Sequence, residues 1–395
     1  MFTTTLRLGL TSFGGPIAHL GYQRKTFVED RGWVDDAVFA DLAALCQTLP
    51  GPASSQLTIA IGRLRAGWAG AAAAWLGFTL PSALIMTMLG LVAADARVPE
   101  TGPVAGAIHG LEVAAVAIVA QAVYLMARRL TPDLPRLLIA AAATPVVLVA
   151  PSPVAQVTVI VVGAIVGRLV LEGRLEERDV DGTSRARPRP DAGHRSEAIT
   201  LLAAFLVVVL GSQVLATVSG NPDVGLVAAF VRAGALVFGG GHVVLPLLDT
   251  GVVRPGWVGE NQFLAGYGAA QALPGPLFSF AAYLGAVASV GPGGVPGALI
   301  ATVAIFLPGA LLVLAALPAI GWLRGKPGVT AALAGVNAAV VGILAAALIT
   351  PVGTGALTSP LSVLVAAGGV ILLLVARVPP LAVVAGSAAV MAIAG

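Results

Sequence analysis

The residues best suited to chemistry surround a Pro-Gly-Pro that occurs twice. Gln47-Thr48-Leu49-Pro50-Gly51-Pro52-Ala53-Ser54-Ser55-Gln56 gathers amides and hydroxyls about the first copy, and Gln271-Ala272-Leu273-Pro274-Gly275-Pro276-Leu277-Phe278-Ser279 repeats it about 224 residues later. Two prolines remove backbone donors and fix φ, so a helix entering this sequence must stop. The helix that restarts after the second proline has unpaired N–H groups carrying partial positive charge, which suit an anion. Gln47, Gly51, Ser54, Ser55 and Gln56 are the candidate donors in the first copy, and Gln271, Gly275 and Ser279 in the second. Phe278 stands where Ser54 does and Phe280 where Gln56 does, so an anion is expected nearer the first copy. The plainer alternative is that each Pro-Gly-Pro only turns the chain between two spans.

A second cradle is offered by Ser12-Phe13-Gly14-Gly15-Pro16 and its counterpart Phe238-Gly239-Gly240-Gly241. Glycines let backbone approach a ligand closely; helix packing or a hinge would use the same residues. Arg7 and Arg232 each stand two residues before a glycine, Gly9 and Gly234, and either could draw an anion to a mouth or simply snorkel to the interface. Glu112, inside the apolar stretch 104–127, is the candidate for exchanging protons, and its counterpart Asn337 cannot titrate. A neutral, hydrogen-bonded Glu112 is the competing reading. His19 is a second candidate proton carrier, although His19, His109 and His242 near the glycine-rich breaks are as readily packed structural residues. No His-Glu-x-x-His, Gly-x-Ser-x-Gly or Gly-x-Gly-Asp is present, so an intramembrane enzyme is not expected, nor is a cofactor.

Composition says what must position these groups. Of 395 residues 57% are hydrophobic and 10% charged, where a soluble domain carries about 25% charged residues, so the expected fold is an all-α polytopic membrane protein. A net charge of +3 gives no reason to expect nucleic acid, and the single Cys46 excludes an internal disulfide. The start lacks the order of a cleaved signal peptide. Apolar segments are read at 3–22, 37–49, 53–62, 69–93, 104–127, 137–150 and 153–171, then a solvated Arg-rich linker at 172–197 and a plain connecting span at 198–218.

Residues 219–395 then repeat 1–171. Arg7-Leu-Gly matches Arg232-Ala-Gly, Gly32-Trp33-Val34 matches Gly256-Trp257-Val258, Leu80-Pro81 matches Leu307-Pro308, and Gly110 matches Gly335, all at an offset of about 225. Basic residues favour the cytoplasmic side. In the first half they fill three connectors (Arg24, Lys25, Arg31; Arg63, Arg65; Arg128, Arg129, Arg136), with only Arg97 opposite. In the second half they fall in the alternate connectors as Arg324, Lys326 and Arg377, with Arg254 the exception. The expected architecture is therefore two inverted-topology repeats with discontinuous or re-entrant segments, about 13 crossings, the N-terminus and linker cytoplasmic and the C-terminus outside.

These blocks resemble the chromate ion transporter (CHR) family in its long, two-domain form, over nearly the whole chain. Gly9-Leu-Thr-Ser-Phe-Gly-Gly-Pro16, Ala18-His19-Leu20-Gly21-Tyr22, Leu45-Cys-Gln-Thr-Leu-Pro-Gly-Pro-Ala-Ser-Ser-Gln56, Phe238-Gly-Gly-Gly-His242 and Gln271-Ala-Leu-Pro-Gly-Pro276 carry the resemblance. It implies a bacterial inner-membrane exporter of chromate, driven by the proton motive force and conferring chromate resistance. Sulfate, another tetrahedral dianion, is the alternative substrate, a passive anion channel is the alternative mechanism, and a homodimer is left open. Cysteines placed at Asp30 and Pro255 are expected to label from opposite faces of the membrane; labelling from one face would end the inverted-repeat reading.

Overall fold

The computed structural model describes residues 1–13, 15–95, 101–179, 192–319 and 327–394, and among these all regular structure is helical. The first half runs α1 (Phe2–Thr11), α2 (Gly15–Arg24), α3 (Asp36–Thr48), α4 (Ala53–Asp95), α5 (Pro103–Leu130), α6 (Leu134–Val149) and α7 (Pro153–Asp179). After α8 (Ala192–Ser219) come α9 (Pro222–Leu236), α10 (Val244–Leu248), α11 (Glu260–Ala272), α12 (Phe280–Val287), α13 (Gly294–Ala316), α14 (Pro327–Ala347), α15 (Pro360–Leu374) and α16 (Pro380–Ala394). Short polar side chains fix several starts by accepting from the first turn: Asp35 from Val38 N–H at 2.7 Å, Asp133 from Arg136 N–H at 3.1 Å and Asn221 from Asp223 N–H at 2.8 Å. Ser359 and Ser362 form a reciprocal capping box at α15.

Among the described residues six helices are long and apolar enough to cross a membrane, as in a multi-pass membrane protein. One of the six, α4, is two helices. Ala66 (φ −148°) and Gly67 (φ 62°) leave the helical region, and Gly62 lies against Gly70 and Ala74. Residues eight apart on one helix would be separated by about 12 Å, so the chain folds back on itself here. The second half makes the same hairpin with a longer turn: α12 places Gly285 against Gly297 and Ala301 of α13.

The counterparts run in opposite directions. Gly239 touches Leu130 and Met126 at the end of α5 and lies beside Asn337 of α14, while Thr358, beyond the end of α14, meets His109 near the start of α5 at 3.4 Å. Hence α5 and its counterpart α14 are antiparallel. Each also packs on the last helix of the other half, α7 on α14 through Gly163, Gly167 and Gly335, and α5 on α16 through Gly110 against Ser387 and Ala388. Gly9 seats on the Phe78 carbonyl as Gly234 does on that of Ile305. Small residues bring helix backbones together in this way where lipid supplies no hydrophobic drive for association. α8 has no such partner in the repeat: none of its apolar window is buried, as a helix facing lipid requires.

The stretch expected as a solvated linker is helical at both described ends, since α7 continues to Asp179 and α8 begins at Ala192; residues 180–191, like Arg97 side-chain detail and Arg324 and Lys326, lie outside the described residues. The helices extend because Leu171 is buried and Glu197 pairs with Arg63 of the α4 hairpin tip at 2.6 Å. Arg65 in turn stacks over Trp33, 5.9 Å from its ring centre. The connector before α3, the α4 tip and the linker therefore share one end of the molecule. Adding side chains at the α7–α14 seam should break the fold: Gly335→Leu has backbone of Gly163 and Gly167 in its way, and overpacking of this kind costs about 1–3 kcal/mol or more. Monodisperse, detergent-extracted protein should be lost for Gly335→Leu and kept for Gly211→Leu, whose position meets nothing within 4 Å.

Candidate functional site

Both Pro-Gly-Pro turns are buried, and each is held by the other half. Gly51 N–H donates to the Val237 carbonyl at 2.7 Å, and Gly275 N–H donates to the Ser12 carbonyl at 2.9 Å. Val237 and Ser12 are counterparts, each just ahead of a glycine-rich break, so the two bonds are one contact made twice. The second anchor is also reciprocal. Gln56 Nε2 donates to the carbonyls of Pro50 (2.8 Å) and Gly309 (3.1 Å), while Ser279 and Ser82 share a hydroxyl hydrogen bond of 2.7 Å. Gly309 and Ser82 each follow the proline inside a helix, Pro308 in α13 and Pro81 in α4. Gly51 (φ 121°) and Gly275 (φ 99°) adopt backbone that only glycine takes comfortably, with no room for a Cβ against Gly309 or Ser82. The 13 residues of α3 rise about 20 Å, short of the ~30 Å hydrocarbon layer, so α3 cannot cross that layer before the chain turns.

Beside this crossing lies a cavity of about 1180 Å³. Gly15, Gln47, Gly51, Gly239, Gly240, Gln271 and Gly275, all read from the sequence as candidate binding residues, line it. So do Gln121, Tyr124, Arg128 and Arg129 of α5, His242, Asn337, and Arg377 between α15 and α16. Among the described residues, none lining the cavity is Asp or Glu. A concave site walled by one sign of charge focuses its field on ions of the other sign. Arg129 Nη2 donates to Gln47 Oε1 at 2.6 Å, and Arg128 lies over the ring of Tyr124, one turn earlier on α5. The arginines mark a mouth at the linker end of the molecule, because α14 begins beside Glu172 near the end of α7 and runs antiparallel to α5. Toward the other end of α5, Gly268 of α11 packs on the Leu111 carbonyl beneath Ile118 and Ala270 of the lining, at the cavity floor.

The remaining candidates from the sequence lie elsewhere. Ser54, Ser55 and Gln56 are buried around the restart of α4; Ser54 lines a small void with His19 and Gly241, next to the cavity. His19 sits between Ser54 Oγ (3.3 Å) and the Ser12 carbonyl (3.1 Å), a structural bridge across the first break. Ser12 and Ser55 hydroxyls are buried without a partner among the described residues, and Ser279 is engaged with Ser82. Gly14 lies outside the described residues. Arg7 is exposed on α1, and Arg232 donates to Gln213 of α8 at 3.1 Å; neither reaches the cavity. Glu112 is buried and bonded to His109 Nδ1 at 2.9 Å, below the floor: it precedes Ile118, which lines the cavity, by six residues of α5, or about 9 Å of helix. Sequence reasoning placed Arg128, Arg129 and Arg377 only in connectors, where a helix-end arginine reads as a topology signal. The i,i+4 pair Tyr124–Arg128 was the one local hint that this helix end is structured.

Broken helices crossing inside a bundle of apolar helices, beside a cavity whose described lining carries arginines and no carboxylate, define the class: an all-α polytopic membrane protein. The chain belongs to the chromate transporter family, whose model matches residues 1–168 and 224–392. It is 29% identical over 348 residues to a probable chromate transport protein of Synechococcus elongatus (87% of this chain, 82% of the relative). It is 29% identical over 363 residues to a chromate transport protein of Pseudomonas aeruginosa (88% and 80%), and 26% identical over 325 residues to an uncharacterised transporter of Methanocaldococcus jannaschii (80% and 75%). No solved structure gives a significant match.

The geometry separates two glutamines that look alike in sequence. Gln56→Leu strips the donor from two carbonyls at the crossing, each worth about 1–3 kcal/mol when buried, and should lower the melting temperature by roughly 4–10 °C. Gln47→Leu loses only a bond to an exposed arginine and should melt within about 2 °C of the parent.

Proposed function

We propose that this chain exports a tetrahedral dianion, chromate first, across the bacterial inner membrane, driven by the proton motive force and giving chromate resistance. The observation that carries this reading is the cavity with Arg128, Arg129 and Arg377 at its mouth and no carboxylate in its described lining. A dianion needs donors and positive potential, and arginines at a wet mouth supply both at lower cost than one buried in lipid. Chromate transport proteins among the relatives favour chromate over other dianions. On the distribution of basic connectors the linker end is cytoplasmic, so the cavity opens toward the cytoplasm, with the N-terminus inside and the C-terminus outside.

Contact between α5 and α11 beneath the cavity, at its floor, supports a carrier rather than a pore. Glu112 and His109 lie beyond that floor with Glu260 nearby, on the side away from the mouth. A proton reaching Glu112 from outside and an anion loaded from the cytoplasm would thus approach from opposite faces, as exchange of one for the other requires. Sulfate remains the second reading for the substrate, because the lining offers nothing that separates two tetrahedral dianions by charge.

Everted vesicles should accumulate labelled chromate on energisation, lose it on addition of an uncoupler, and show competition by excess sulfate. Accumulation that survives the uncoupler would exclude proton drive, and equilibration without accumulation would make this a channel. Glu112→Gln should cut energised uptake at least tenfold at unchanged protein abundance; full activity would remove Glu112 from coupling.

A further inference from the structure

The cavity floor holds one group that the charge argument does not use. Gly239 (φ 75°) and Gly240 (φ 148°) turn the chain sharply before the single helical turn Gly241–Val243, and this turn sets His242 in the lining. Its Nδ1 lies 3.0 Å from the Tyr267 hydroxyl and 3.3 Å from Gln271 Nε2. Tyr267 is fully buried, and its hydroxyl has in Nδ1 an acceptor within reach. The amide nitrogen of Gln271 can only donate. Two donors converge on Nδ1, so Nδ1 is the acceptor and the ring proton sits on Nε2. That nitrogen has no hydrogen-bond partner among the described residues and is not among the buried unpaired atoms, so it is open to the cavity.

We propose that His242, as the neutral Nε2–H tautomer, donates to an oxygen of the anion held in this cavity, and that Tyr267 and Gln271 are the positioning residues that fix the tautomer. The inference rests on the anion reading of the cavity. A single outward N–H offers a donor and no acceptor, so it favours an oxygen that carries no proton. Tyr267 acts through the ring, without touching the ligand.

The test uses the full-length protein in detergent, with chromate and sulfate as probes in equilibrium binding. His242→Ala should weaken binding at least tenfold, while His242→Gln, whose side-chain amide can reach the Nε2 position, should stay within about threefold. Histidine ¹⁵N spectra should place the His242 proton on Nε2 in the parent, move that signal when chromate is added, and show both tautomers when Tyr267→Phe and Gln271→Leu are combined. Unchanged affinity in His242→Ala, or an Nε2 signal that ignores chromate, would overturn the assignment; the spectra decide should the alanine variant not fold. A parent protein that binds neither anion would instead overturn the cavity reading on which the assignment rests.

Discussion

A peptide group deprived of its helical partner inside a low-dielectric slab must find another partner or destabilise the fold by several kcal/mol. The chain breaks its helices at membrane depth in both halves, and the architecture is the answer to the resulting debt of unpaired groups. Gly51 N–H and Gly275 N–H are satisfied by carbonyls that the other half's break has set free, at Val237 and Ser12. Pro81 and Pro308 are each followed by a residue, Ser82 and Gly309, that bonds across the crossing to Ser279 and Gln56. Each interruption therefore supplies what the opposite one lacks. A single break of this kind would need water, or an ion, to do the same.

That reciprocity leaves a polar floor where backbone, amides and an imidazole can coexist with lipid outside. The groups that neutralise each other at the crossing are spent on structure, which is why Gln56, Ser54 and Ser279 do not face the cavity. The groups left facing it are their neighbours one turn away: Gln47, Gln271, Gly239, Gly240 and His242. The positive charge comes from a different source, the ends of α5 and the α15–α16 connector, carried in by helix packing. Stability and recognition are thus divided between adjacent residues of the same short motifs.

Much of this was legible in the sequence because it follows from local backbone chemistry. Pro-Gly-Pro stops a helix in any context, and duplication at a near-constant offset announced that whatever one half does the other does in mirror order. The antiparallel pairing of α5 with α14 likewise follows from which connectors carry arginine. What could not be read is which side chains share a space. Arg129 and Gln47 are 82 positions apart, and no periodicity links them. His109 and Glu112, by contrast, are three apart on one helix, a spacing that by itself puts both side chains on one face. The helical extension of α7 and α8 into the charged stretch was hidden for another reason: composition there favours solvation, and the Arg63–Glu197 contact that anchors it is long-range.

The crossed glycine bonds have a consequence for how the chain is made. Gly51 waits for Val237, and Ser12 for Gly275, so the first half leaves the ribosome with its central turn unclosed and stays so until the first third of the second half has been made. Long-range closure of this sort is slow to form, and the half-made protein must hold open backbone in the bilayer until then. Insertion and folding are consequently separate events in this molecule, with the ends of α9 and α11 acting as the clasp for the initial helices.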